Sequence, residues 1–157
     1  MDNFIVRTHA ADLSIKIGAA QADYNEIAGS FAYGDDPESQ KAEKSTVRKI
    51  QRQHREGDLW AWFDCRVEVE FFDRDMAIAD LEPFTADEFL GCCNYRSLED
   101  FTTPNDGYFA DMLQTALTEI RERLAAEYPD SLENFDAQVQ KYYTEIRGCD
   151  APDLSPA

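Results

Sequence analysis

Leu59-Trp-Ala-Trp-Phe-Asp-Cys-Arg-Val-Glu-Val-Glu-Phe-Phe-Asp73 is the stretch on which the fold turns. Ala61, Phe63, Cys65, Val67, Val69 and Phe71 fall on one face, and Trp60, Trp62, Asp64, Arg66, Glu68 and Glu70 on the other. This period of two is what a half-buried strand requires. Downstream, a turn around Asp73-Arg74-Asp75 leads into a second predicted strand near Met76 to Leu81. Phe89 to Tyr95 supplies a third, so the middle of the chain predicts an antiparallel meander.

On the N-terminal side, Leu13, Ile17, Ala20, Tyr24, Ile27 and Phe31 recur at steps of three and four, which predicts an amphipathic helix from about Asp12 to Ala28. A short strand over Phe4 to Thr8 precedes it. Asp36-Pro37-Glu38 is a helix start, with a capping carboxylate followed by proline in the first turn, and Gly57 is its stop. The helix between them, about Pro37 to Arg55, has Val47 and Ile50 as its main apolar residues and therefore touches the body along a narrow line.

After the turn at Pro104-Asn105-Asp106-Gly107, the residues Phe109, Met112, Leu113, Ala116, Leu117, Ile120 and Leu124 mark a helix to about Glu127. Asp130 with Glu133 then offers a capping-box start for a last helix, striped by Leu132, Phe135, Val139, Tyr142 and Ile146 and stopped by Gly148. The fold class expected is α+β: a small antiparallel sheet of about three strands packed with helices, closing in a C-terminal helical pair. Residues 1–149 are read as one domain and 150–157 as a disordered tail.

A hydrophobic fraction of 43% with ten Phe, seven Tyr and two Trp supplies a core for a 157-residue chain, so its formal charge of −17 does not imply disorder. No apolar run has the length of a membrane helix, and Met1-Asp2-Asn3-Phe4 lacks the basic and apolar regions of a signal peptide, which points to the cytoplasm. Cys65, Cys92, Cys93 and Cys149 are then expected to be reduced and mostly buried. With only His9 and His54 beside them, they form no set of zinc ligands at the usual spacings.

Catalytic signatures are missing. His9 or His54 could serve a cysteine nucleophile, but Cys65 lies on the apolar face of a strand, where a thiol is inert. Thirty-two acids allow almost any carboxylate pairing on paper, and the seven glycines form no phosphate-cradling loop. No residue is therefore read as catalytic, cofactor-binding or metal-ligating, and the protein is expected to act by binding and not as an enzyme.

The charge is sorted along the chain. Lys41, Lys44, Arg48, Lys49, Arg52 and Arg55 crowd into fifteen positions with one acid, whereas Glu56 to Asp106 hold fourteen acids against three arginines. On the predicted 37–55 helix the cations at 41, 44, 48, 52 and 55 share one side. On the strand, Asp64, Glu68 and Glu70 project together at about 6.6 Å intervals, a spacing that resembles successive backbone phosphates.

Two stretches of this region, Trp60-Ala-Trp-Phe-Asp-Cys65 and Phe89-Leu-Gly-Cys-Cys-Asn-Tyr-Arg-Ser-Leu-Glu-Asp-Phe101, followed by Gly107-Tyr-Phe-Ala-Asp-Met112, resemble a pattern in small acidic proteins of phages and mobile elements. The resemblance covers about a third of the chain. Such proteins include anti-CRISPR and anti-restriction inhibitors, some of which imitate DNA. It implies an anti-defence inhibitor whose acidic, partly nucleic-acid-mimicking surface occupies the cationic channel of a host nucleic-acid-binding complex.

Asp64, Glu68, Glu70, Asp73 and Asp75 are the candidate contacts for that partner, with Trp60 and Trp62 as aromatic anchors and Lys44, Arg48, Arg52 and Arg55 as a second contact. The basic segment departs from an all-acidic mimic. A second reading makes it a phosphate-binding helix of a small regulator, and a third makes the acids a solvated coat. An assembly role would give the last two helices a self-association face and make the protein a homodimer.

Overall fold

A computed structural model describes the backbone of residues 4–8 and the whole of residues 12–155. His9 lies outside the described residues. The elements, in chain order, are β1 (Phe4–Thr8), β2 (Leu13–Gln21), α1 (Pro37–Arg55), β3 (Phe63–Phe71), α2 (Arg74–Ile78), β4 (Phe84–Cys93), α3 (Leu98–Thr102), α4 (Tyr108–Glu127) and α5 (Leu132–Tyr142). Short 3₁₀ turns precede α1, β3 and α5, and a π-type turn over Tyr143–Arg147 extends α5. The α+β class holds, with a four-stranded sheet in the order β1-β2-β3-β4, antiparallel throughout.

β3 is the strand expected over 59–73, where the meander would have made it an edge; here it is interior and pairs with β2 along its whole length, from Leu13 opposite Phe71 to Gln21 opposite Phe63. That pairing overturns the expected 12–28 helix. Leu13, Ile15, Ile17 and Ala19 are all buried, and a helix would have scattered these alternating positions around its axis. The β-branched isoleucines and the mid-segment Gly18 also favour a strand over a helix.

The second expected strand is instead α2. Asp73 ends β3 as a cap, accepting the Met76 N–H at 2.9 Å. This local bond turns the chain helical so that Met76 is buried while Ile78 stays 74% exposed. The third strand begins earlier than expected, at Phe84, and runs to Cys93.

One side of the sheet carries the core. Val67, Val69 and Phe71 of β3 and their neighbours on β2 pack beneath Leu113, Leu117 and Ile120 of α4 and Phe135 and Val139 of α5. The cap at Asp130 does not form; Ser131 stands at the N-cap of α5 and makes no side-chain cap bond, and its hydroxyl donates to Asp73 at 3.0 Å. Gly148 does end the helical segment, in the left-handed conformation at φ +68°. Beyond it the chain stays on the body through residue 155: Leu154 is 7% exposed and belongs to the core, where a free tail was expected from Asp150.

Candidate functional site

α1 is built as the sequence predicts. The Asp36 carboxylate accepts the Ser39 N–H at 2.9 Å and its hydroxyl at 2.6 Å, and these bonds hold Asp36 below the usual carboxylate range. At about 100° per residue, Val47, Ile50 and His54 share one face, and Lys41, Lys44, Arg48, Arg52 and Arg55 fall in a separate stripe about 80° wide, centred roughly 130° around the helix from them.

The apolar face seats on a small core separate from the main one. Ile50 packs with Ala22, Ile27 and Trp62, flanked by Val47 and Phe31. His54 Nε2 donates to the Ala22 carbonyl at 2.8 Å, Gln21 Nε2 donates to the His54 carbonyl at 3.1 Å, and the Tyr24 ring stands edge-on to His54. These contacts all lie in the C-terminal half of α1. Its cationic face spans about 21 Å from Lys41 to Arg55 at 1.5 Å per residue.

All six of the cations between Lys41 and Arg55 are exposed, and among the described residues none has a carboxylate within 4 Å. Among the described residues, Arg55 alone of the six is engaged by a side chain, lying over the Tyr24 ring at 5.5 Å. Among the described residues, the stripe does not fold down onto acids of its own molecule.

The acidic candidates are dispersed by comparison. Glu68 and Glu70 do share the outer face of β3, but Lys16 of β2 stands between them at 3.9 and 3.8 Å. Arg66 pairs with Glu68 and, at 3.5 Å, with Asp87 of β4. The row therefore alternates in sign and is a poor imitation of a phosphate run. Lys16 was hidden because its segment reads as a helix, and its cross-strand position opposite Glu68 follows only from the β2–β3 register.

Asp73 leaves the candidate surface altogether. It is 5% exposed and accepts from Met76 N–H, Ser131 Oγ and Asn134 Nδ2. Burial pushes its carboxyl up, but those hydrogen bonds outweigh burial and hold it below the usual range. Asp75 is exposed in the first turn of α2. Trp62 is likewise interior at 1% exposed, with its indole N–H on the Asp23 carbonyl at 3.0 Å. Trp60 is half-buried and edge-on to Phe63. The reason is that Leu59–Ala61 form a 3₁₀ turn, so the strand starts only at Phe63 and neither indole joins its outer face.

Asp64 has a local role. β4 carries an extra residue opposite Phe63–Cys65, and Cys92 in that bulge adopts φ +58°. The Asp64 carboxylate accepts the Cys92 N–H at 2.9 Å, and a side chain at Gly91 would approach the same oxygen to 3.3 Å. The bulge turns the Cys92 side chain to the surface, while Cys65 and Cys93 are buried. Partial burial, followed by the Asp64 and Glu26 charges, pushes the Cys92 thiol up, so it is a poor nucleophile.

Beside the bulge lies a cavity of about 270 Å³ that the sequence did not single out, with Phe31, Trp62, Tyr95 and Tyr108 among its walls. On the opposite element, the outward face of α4 shows Asp111, Glu119 and Glu122, which form no ion pair among the described residues. No described helix is long and apolar enough to cross a membrane, and among the described residues no three His, Cys, Asp or Glu side chains are placed to hold a metal ion. Compared with protein families, curated proteins and solved structures, the chain matches none.

Proposed function

We propose that this is a non-enzymatic, cytoplasmic binding protein that engages the phosphates of a nucleic acid, free or held in a nucleoprotein complex, through the cationic face of α1. The observation that carries this reading is the unpaired state of that face: six exposed cations in a chain with thirty-two acids, none within ion-pair distance among the described residues. Packing does not require the stripe, since α1 is held by Ile50, Val47 and His54 on a separate face. The body's negative charge is the main objection. It is weakened by screening, because charges more than about 8 Å away contribute little at physiological salt, and the stripe extends for more than twice that length.

Fluorescence anisotropy with labelled single- and double-stranded DNA and RNA tests the reading. With four or five cations on phosphates, log affinity should fall against log salt with a slope of about −4. Arg48→Glu with Arg52→Glu should abolish the signal. Absence of binding at low salt to every nucleic acid tried would remove the proposal.

A second reading keeps the anti-defence inhibitor with an acidic contact surface, moved from β3 to α4. It is favoured by the exposed Asp111, Glu119 and Glu122, which, unlike Glu68 and Glu70, form no ion pair among the described residues. Such an inhibitor would not bind nucleic acid itself but would compete with it for a cationic protein, and charge reversal at Glu119 and Glu122 would end the competition.

A further inference from the structure

The cavity beside the β4 bulge has a composition that selects its occupant. Four aromatic residues from four separate parts of the chain, Phe31, Trp62, Tyr95 and Tyr108, border it. Trp62 closes the floor, while Tyr108 is 63% exposed at the mouth. Its volume of about 270 Å³ suits one side chain better than a drug-sized ligand, for which pockets run from about 300 to 1,000 Å³.

Among the described residues no lysine, arginine or histidine lines it, so none of them there would neutralise an anion. Acceptors are available. Asn94 is fixed by donating its Nδ2 to the Ala61 carbonyl at 2.6 Å, and among the described residues its Oδ1 and the Tyr95 and Tyr108 hydroxyls take part in no hydrogen bond. Negative charge lies just behind the lining: the Asp64 carboxylate is bonded to the N–H of the lining residue Cys92 at 2.9 Å and closely approaches Gly91, and the Asp23 carbonyl takes the indole N–H of Trp62 in the floor. Burial first, and then the charges of Asp64, Glu26 and Asp23, push the Cys92 thiol up.

Aromatic walls, unclaimed acceptors and nearby carboxylates together favour a cation stacked on ring faces. A purely apolar occupant would leave the acceptors and carboxylates unanswered. Covalent chemistry at Cys92 is disfavoured by its neutral thiol. We infer that this pocket receives an arginine side chain from a basic segment of a protein partner, with the guanidinium between Tyr95 and Tyr108 and its N–H groups on Asn94 Oδ1 and toward Asp64. The inference stands apart from α1, which presents the opposite charge to a different ligand.

The test is an NMR titration of the ¹⁵N-labelled full chain with the capped peptide Gly-Arg-Gly and its citrulline analogue, which has the same shape without the charge. Saturable shifts centred on Gly91, Cys92, Asn94 and Tyr95 are expected for the arginine peptide only. Tyr108→Ala removes an exposed ring, and Asp64→Asn removes a charge while keeping an acceptor for Cys92. Each should weaken binding roughly fivefold with the rest of the spectrum unchanged. Equal binding of the citrulline peptide would overturn the inference, as would unchanged affinity in both variants or shifts spread over Asp111, Glu119 and Glu122. Arg48→Glu with Arg52→Glu should leave this titration unaffected, so failure here and failure of the α1 reading are separable.

Discussion

Asp64 of β3 holds the Cys92 N–H of β4 at 2.9 Å, and that bond spans the point where the two strands fall out of register. Cys92 pays for its place in the bulge with a positive φ of 58°, a conformation that costs a non-glycine residue about 1 kcal/mol. Asp64→Ala should therefore destabilise by about 1 kcal/mol, the net worth of one such bond. Cys92→Gly should stabilise by about 0.5 to 1 kcal/mol, because the strain is relieved and the thiol is exposed. Urea midpoints at constant m-value decide both. A lower midpoint for Cys92→Gly would mean that the left-handed cysteine is not strained here.

Asp73 supports a pH prediction with a definite sign. Its hydrogen bonds to Met76, Ser131 and Asn134 set its carboxyl below the ordinary range in the folded protein. A group depressed on folding contributes stability above its unfolded pKa, about 3.9, and loses it as pH falls through the folded value. Thermal stability should hold down to about pH 4 and decline below it. Asp73→Ala should cost about 2 to 3 kcal/mol at neutral pH, through the lost α2 cap and two stranded donors, and should flatten part of the acid decline. A variant as stable as the parent would show that α2 needs no cap.

The C-terminal segment should behave as part of the domain. Leu154 sits in the main core, and the Arg121 guanidinium grips Asp136 through two bonds of 2.9 and 3.0 Å at the edge of the surface where the segment lies. Deleting residues 151–157 uncovers that core edge and should cost about 2 kcal/mol, the worth of one buried leucine. Leu154→Ala should reproduce most of the loss. Calorimetry on the two proteins separates a packed segment from a free one.

The sequence was most legible where one periodicity had no rival. Ala61 to Phe71 alternates with no helical alternative, Asp36-Pro37 marks a helix start chemically, and Phe109 to Leu124 is striped at a single spacing. Residues 13–24 satisfied both periods: Leu13, Ile17, Ala20 and Tyr24 fit a helix while Leu13, Ile15, Ile17 and Ala19 fit a strand. Only nine residues of pairing with β3 resolve the choice. At Asp73 a single carboxylate bond overrode alternation. The basic stripe could be read because it lies on one element, whereas the neutralisation of Glu68 by Lys16 and the aromatic pocket depend on contacts between distant segments.

The presentation of α1 yields the sharpest separation of stability from binding. Arg48 and Arg52 are exposed and touch no carboxylate among the described residues, so their reversal to Glu should shift the melting temperature by less than about 2 °C. Ile50 is buried against Trp62 and Ile27, and Ile50→Ala should cost about 2 to 4 kcal/mol. Because this small core is separate from the sheet's, the loss should fall first on local opening of α1. Hydrogen exchange should accelerate across residues 46–55 while the amides of β3 and α4 remain protected. The two variants should thus weaken phosphate binding for different reasons, one by reversing charge on a seated helix and the other by unseating it. A large drop in melting temperature for the Arg48 and Arg52 variant would place the stripe against its own molecule and withdraw it from any partner.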